Sequence, residues 1–78
     1  MVDKEGGRMI PLTVADAGQD YIVKRIGGNP EVKKHLEDLG FVAGADVSVV
    51  NTMGGNLIVK VEESRVAISK EMAMKIMI

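Results

Sequence analysis

Not one of the 78 residues of this chain is a cysteine. A chain of this length buries only about 60% of its unfolded surface, and many small domains are therefore stabilised by disulfides or metal ions. Without thiols the chain forms neither disulfides nor a thiolate zinc site, and its single histidine, His35, excludes a site built from several histidines. Its stability must come from one small apolar core, which leaves room for a single domain.

The charge balance and hydropathy narrow the classes of function. Lys and Arg number 10 and Asp and Glu number 11, giving a net charge of -1, so a surface that tracks phosphate groups is not expected. No apolar run approaches the roughly 18 residues that a membrane-spanning helix needs, and the polar N-terminus does not resemble a signal segment. We therefore predict a cytoplasmic protein that binds no nucleic acid and does not insert into a membrane.

Short β-branched segments separated by glycine-containing turns make up most of the chain. Residues 1–8 are polar and are predicted to form a flexible tail, followed by a domain over residues 9–78 that begins with a short irregular strand at 9–14. Further strands are predicted at residues 21–26, 47–51, 57–61 and 65–68. Short strands at this spacing favour a mainly β fold with one or two short helices, closed into a small SH3-like barrel.

One helix has start and stop signals at both ends. Asn29 is predicted to be its N-cap and Pro30 its first residue, where the missing N–H of proline has no consequence. Gly40 is predicted to take the left-handed conformation just after the helix, and Phe41 to fold back onto Leu36.

The last part of the chain is predicted to contain a short helical turn. Ser69 can cap this turn, which runs to about Met74 before residues 77–78 return to the sheet. The methionines of this part, Met72, Met74 and Met77, are predicted to pack in the core and at its edge. Alternation along strands and spacing along the helix predict an interior that includes Val23, Ile26, Leu36, Val47, Val59 and Val66.

The order of glycine and apolar residues along the chain resembles that of a known protein family. Its strongest piece is L-x-x-L-G-F-x-x-G, from Leu36 to Gly44. Around this piece stand Gly18, Tyr21, Val23, Ile26, Val47, a glycine pair before Leu57, the segment 66–68, Ala73 and Ile76. From about Ile10 to Ile78 the sequence resembles the FeoA family, small cytoplasmic accessory proteins of bacterial ferrous iron uptake.

The resemblance implies an SH3-like barrel and a non-enzymatic accessory or regulatory role in ferrous iron transport. It further implies that the protein docks on the cytoplasmic part of a FeoB-type transporter and uses no cofactor of its own. The resemblance also implies an association with transition-metal ions, which belongs to the family as a whole. The family often has arginine at the position of His35, so a contact that depends on that arginine is not carried over.

Two other functions remain open. A generic SH3-like protein-interaction module is disfavoured because proline-rich ligands need an aromatic groove, and Tyr21 and Phe41 are the only aromatic residues. An RNA-binding SH3-like barrel is disfavoured by the charge balance and by the lack of stacking side chains.

The sequence assigns no metal or catalytic residue. Glu31 lies one helical turn before His35, and Asp38 lies three residues after it. Such side chains could hold a divalent ion weakly, but a Glu–His pair at this spacing is an ordinary feature of a helix surface. The chain has no cysteine nucleophile and no supported arrangement of serine, histidine and acid. We therefore predict neither a metal site, nor a cofactor, nor enzymatic activity.

A predicted hairpin is the best candidate for partner binding, because it places an adaptable apolar side chain on a flexible glycine stem. Lys33 and Lys34, on the predicted helix, offer positive charge that can orient a partner. With Lys24 and Arg25, which are near in sequence, they could form a basic patch for an acidic partner surface. Acidic neighbours on the helix dilute this patch, so a solvated helix face is the favoured interpretation. We predict that the hairpin contacts the transporter, or a second copy of this chain in weak self-association. The hairpin residues are Met53, Gly54, Gly55, Asn56 and Leu57.

Overall fold

The computed structural model describes residues 9–78, so the tail predicted at 1–8 lies outside the described residues. A 3-10 turn at Leu12–Val14 comes first. The strands are β1 (Tyr21–Ile22), β2 (Arg25–Ile26), β3 (Asp46–Met53), β4 (Asn56–Val61), β5 (Ser64–Ser69) and β6 (Ile76–Met77). The α-helices are α1 (Pro30–Asp38) and α2 (Lys70–Ala73). The prediction of a mainly β fold with short helices is confirmed.

The strands form two antiparallel sheets. The larger has the order β1-β3-β4-β5, and the smaller consists of β2 and β6. A register shift between Val49 and Asn51 marks a β-bulge in β3, and a bulge bends the strand that carries it. Ile10 and Ile78 exchange two backbone hydrogen bonds, of 3.0 and 2.8 Å. These short, bent sheets form the predicted SH3-like barrel.

The strand predicted at 21–26 is wrong in one respect, because the structure divides it between the two sheets. The Val23 N–H donates to the Ala45 carbonyl at 2.9 Å, beside the larger sheet. The next N–H, that of Lys24, donates to the Met77 carbonyl at 2.8 Å, in the smaller sheet. Val23 itself is buried. The chain therefore crosses from one sheet to the other at this point, through the core.

The strand predicted at 9–14 is replaced by a bridge and a turn. Pro11 forms an isolated bridge with Met77, and the Val14 N–H donates to the Pro11 carbonyl at 3.1 Å. Proline has no N–H and cannot continue a ladder of hydrogen bonds. The turn that follows instead buries Leu12 completely.

Helix α1 begins and ends where the sequence predicts. The Val32 N–H donates to Asn29 Oδ1 at 2.9 Å, which makes Asn29 the N-cap. At the other end Gly40 has a φ of +108°. The N–H groups of Gly40 and Phe41 donate to the carbonyls of residues 37 and 36, both at 3.0 Å. This pair of bonds is a Schellman motif, and it buries Phe41 completely.

The later elements follow one another through tight connections. Met53 and Asn56 pair across the turn between β3 and β4, and Val61 pairs with Ser64 across the turn between β4 and β5. The Met72 N–H donates to the Ser69 hydroxyl at 3.2 Å, which confirms Ser69 as the cap of α2. Neither helix of residues 9–78 is long and apolar enough to span a membrane.

The core contains most of the residues predicted to be interior. Of these, Val66 is only partly buried, although it packs against the core. Met72 also packs against the core, but Met74 is 60% exposed, so its predicted packing role is wrong. The buried residues are Leu12, Val23, Ile26, Leu36, Phe41, Ala45, Val47, Val49, Leu57, Val59, Val61, Ile68, Ala73, Ile76 and Ile78.

Candidate protein-binding surfaces

The tip of the β3–β4 hairpin presents an exposed methionine. Met53 is 61% exposed, more than any other large apolar side chain of the described residues. It ends β3, and the chain reverses at Gly54 and Gly55 before β4 begins. Gly54 has a φ of +61°, as the first central residue of a primed hairpin turn requires. The turn therefore projects Met53 from the end of the sheet.

Leu57 does not belong to this surface, and its assignment as a partner-binding residue is corrected here. Its side chain is 2% exposed and lies in the core. Successive side chains of a strand point to opposite faces of the sheet, so Leu57 points inward where Asn56 points outward. Leu57 therefore anchors the start of β4, while the exposed residues of the hairpin are 53–56.

The Asn51 side chain covers a backbone N–H on the edge of β3 near this tip. The Thr52 N–H donates to Asn51 Oδ1 at 2.8 Å. Because Met53 pairs with Asn56 across the turn, alternation directs the Thr52 N–H away from β4. An edge donor of this kind would otherwise be open to an added strand. A partner at the tip therefore meets side chains, chiefly Met53.

The structure places the two candidate lysines in different surroundings. Both are exposed on α1. Lys34 Nζ lies 3.8 Å from Asp38 Oδ2, in a pair whose side chains are 76% and 68% exposed. Exposed pairs of this kind contribute little to stability. Lys33 instead faces a depression shared with residues of β2.

We call this depression the basic groove. It has a volume of about 440 Å³, and none of its residues belongs to the hairpin. The basic patch considered from the sequence is formed in part, because Lys33 joins Lys24 and Arg25 whereas Lys34 lies outside the groove. Its lining residues are Lys24, Arg25, Ile26, Gly27, Gly28, Lys33, Glu37 and Ala43.

His35 lies on the exposed surface of α1. Within residues 9–78 no group of three or more His, Cys, Asp or Glu side chains is arranged to hold a metal ion. The presence of Glu31 and Asp38 on the same helix thus does not create a ligand set around His35. The absence of metal binding stays a prediction.

A second depression, of about 270 Å³, carries several carboxylates. Asp20, Asp46 and Glu62 line it together with Lys60. One Glu62 oxygen accepts a hydrogen bond from the Asp46 N–H at 2.9 Å, so this carboxylate is already used within the fold. Sequence reasoning gave no signal for this cluster, because its members lie on three separate segments.

The fold and these surfaces define a small SH3-like barrel with an exposed methionine at a hairpin tip and a group of cations beside a helix. The chain belongs to the FeoA family, because the sequence model of the FeoA domain matches residues 10–78. FeoA proteins are accessory proteins of ferrous iron transport. The resemblance seen in the sequence is thereby confirmed.

Individual relatives agree with this assignment. Fe(2+) transport protein A of Methanocaldococcus jannaschii is 33% identical over 70 residues, covering 90% of this chain and 85% of the relative. A crystal structure of the iron uptake regulatory protein FeoA superposes with a TM-score of 0.82 at 31% identity, covering 91% of this chain and 95% of that one. FeoA of Stenotrophomonas maltophilia, a prokaryotic SH3 domain protein complexed with zinc, gives a TM-score of 0.75 at 25% identity, with 86% of each chain covered.

Proposed function

We propose that this protein is a cytoplasmic, non-enzymatic accessory protein of ferrous iron transport that docks on the cytoplasmic part of a FeoB-type transporter. Membership of the FeoA family supports the transport role. The observation that carries the docking step is the 61% exposure of Met53 at the tip of a hairpin. A methionine presented at a hairpin tip can supply an adaptable apolar contact to a partner.

Two features of the hairpin suit it to a protein contact: an anchored strand and an adaptable side chain. Leu57 fixes the base of β4 in the core, so the tip is presented by a firm stem. Methionine is unbranched and polarisable, and it adapts to irregular apolar pockets. Complete burial of such a side chain contributes about 1.5 to 3 kcal/mol, which corresponds to at least about a tenfold change in affinity.

The charged residues of α1 have a different part in the proposed docking. Lys33 and Lys34 are exposed, and exposed charges near an interface act mainly on the rate of encounter. We expect a Lys33→Glu/Lys34→Glu variant to associate more slowly with the transporter, most clearly at low salt.

The experiment is co-purification of the full chain with the cytoplasmic region of the transporter. Met53→Asp should abolish co-purification, since it places a charge in an apolar contact. Met74→Asp is the matched control, because Met74 is also a methionine and is 60% exposed in the turn directly after α2. Both variants are first checked for native folding by circular dichroism. Normal binding by Met53→Asp would refute the hairpin assignment, and loss only in Met74→Asp would move the interface to α2.

A second copy of this chain is the other occupant that the hairpin can accommodate. Sedimentation of the unmodified chain and of Met53→Asp over a range of concentrations separates the two cases. If the tip is a self-association site, the unmodified chain forms dimers that Met53→Asp removes. If the tip serves the transporter alone, both proteins sediment as monomers.

A further inference from the structure

The basic groove collects positive charge from separate parts of the chain. Arg25 belongs to β2 and Lys33 to α1, and Lys24 lies just before β2. Among the lining residues that the structure describes, Glu37 is the only acidic one. The protein as a whole has a net charge of -1, so this excess of cations is a local feature of one surface.

The stem of a further lysine lies against the edge of the groove. The Gly27 N–H donates to the Lys75 carbonyl at 2.7 Å. A Cβ atom placed on Gly28 would stand only 3.1 Å from Lys75 Cδ, so the aliphatic part of Lys75 lies against this glycine. The stem of Lys75 therefore borders the groove at Gly28, which is one of its lining residues.

The backbone beneath these cations is held in place by hydrogen bonds. Arg25 pairs with Met77 between β2 and β6. The Lys33 N–H donates to the Asn29 carbonyl at 2.9 Å in the first turn of α1. Charged groups on regular elements need less ordering on binding than groups on a mobile loop.

We propose that the basic groove binds carboxylate side chains of an acidic segment of a partner protein. The proposal deepens the proposed function and rests on it, because it supplies the charged contact of the docking for which Met53 supplies the apolar contact. Ammonium and guanidinium groups form strong, charge-assisted hydrogen bonds with carboxylates. A volume of about 440 Å³ lies within the usual range of about 300 to 1,000 Å³ for binding pockets.

A protein carboxylate fits the groove better than a nucleic acid does. Glu37 stands among the cations and would repel a continuous line of phosphates, whereas separate side chains can avoid it. None of the described residues that line the groove is aromatic, so bases lack the aromatic platforms that single-strand binding proteins use. The overall charge of -1 also opposes the electrostatic attraction on which nucleic-acid binding depends.

The test is a titration of the isotope-labelled full chain with a hexaglutamate peptide, followed by amide NMR spectra. We expect shifts of the Gly27, Gly28 and Lys33 amide signals, and weaker shifts at higher salt. Hexalysine serves as the negative control. Absence of these shifts would overturn the proposal, as would a single-stranded oligonucleotide that moves the same signals at lower concentration than hexaglutamate does. Shifts caused by inorganic phosphate but not by hexaglutamate would also overturn it.

A pair of charge-reversal variants identifies the groove as the site. Arg25→Glu/Lys33→Glu should weaken hexaglutamate binding by about tenfold or more, because two charge-assisted contacts are lost. Lys34→Glu/Arg65→Glu changes the net charge equally at exposed residues outside the groove and should have a much smaller effect. Equal losses in the two variants would show non-specific attraction and refute the groove. The titration contains no transporter, so its result is independent of the co-purification test.

Discussion

Asp46 and Glu62 are joined by two hydrogen bonds that run in opposite directions. The Glu62 N–H donates to the Asp46 carbonyl at 2.8 Å, and the Asp46 N–H donates to Glu62 Oε2 at 2.9 Å. Glu62 has a φ of 56° and is the only non-glycine residue of the described part with a positive φ. The left-handed conformation costs about 1 to 2 kcal/mol for such a residue. The two bonds therefore secure a turn that is unfavourable for glutamate.

Substitutions of Glu62 should separate the free-energy cost of its left-handed conformation from the stability that its side-chain hydrogen bond contributes. Glu62→Gly relieves the positive φ but loses a bond that contributes about 0.5 to 1.5 kcal/mol, so we expect a change in stability below about 1 kcal/mol. Glu62→Val loses the bond and places a β-branched residue at positive φ, so we expect a loss of about 2 kcal/mol or more. Urea denaturation measures both. Equal midpoints for the two variants would contradict this account.

Gly40 should tolerate substitution poorly for reasons of backbone conformation. A Cβ at this position would meet the nearest Val61 methyl at an ordinary 3.5 Å, but φ is +108°. Gly40→Val is therefore expected to lower the free energy of unfolding by at least about 1 kcal/mol. Gly55→Ala is the control, because a Cβ there meets nothing within 4 Å; it should stay within about 0.5 kcal/mol of the unmodified chain. An unchanged denaturation midpoint for Gly40→Val would show that α1 does not require this ending.

Leu57 and Met53 should respond in opposite ways to truncation. Leu57 is 2% exposed and Met53 is 61% exposed. Leu57→Ala should lower stability by about 2 to 5 kcal/mol, since it leaves a cavity in the core, whereas Met53→Ala should change it by less than about 0.5 kcal/mol. Thermal unfolding compares the two directly. A large loss for Met53→Ala would mean that its side chain packs within the fold instead of serving a partner.

Metal binding by a single chain should be weak. The sequence has one imidazole and no thiol, and soft transition metals depend on such ligands. We expect calorimetric titration with Zn(II), or with Fe(II) under anaerobic conditions, to show no tight one-to-one site. A sub-micromolar site that disappears in His35→Ala would prove the expectation wrong.

The features that depend on neighbouring residues could be predicted from the sequence. The N-cap at Asn29 and the Schellman ending at Gly40 each use hydrogen bonds within one turn of the chain. The same holds for the cap at Ser69 and for the tight turn after Met53. Local chemistry decides such structures, so the identity of a few adjacent residues is enough to predict them.

The features that depend on residues far apart in the sequence could not be predicted from it. The division of the strand at 21–26 follows from the partners of Val23 and Lys24, Ala45 and Met77, and no property of the segment itself names these partners. For the basic groove, the sequence brings Arg25 near both Lys33 and Lys34, but only the folding of the turn between them decides that Lys33 joins the groove and Lys34 does not. Leu57 is a different case, because its alternation with Val59 and Val61 along β4 does predict an inward side chain. Only its closeness in sequence to the exposed tip favoured a surface position.

The bonds between Ile10 and Ile78 affect the time that the protein needs to fold. Strands β3, β4 and β5 follow one another through tight turns, so they can pair before the rest of the chain has formed its native contacts. Ile10 and Ile78 can meet only after a loop of nearly the whole chain has closed, and the entropy lost in loop closure grows with loop length. We therefore expect the local pairs to form early and the closure of the barrel to be the slow, final step.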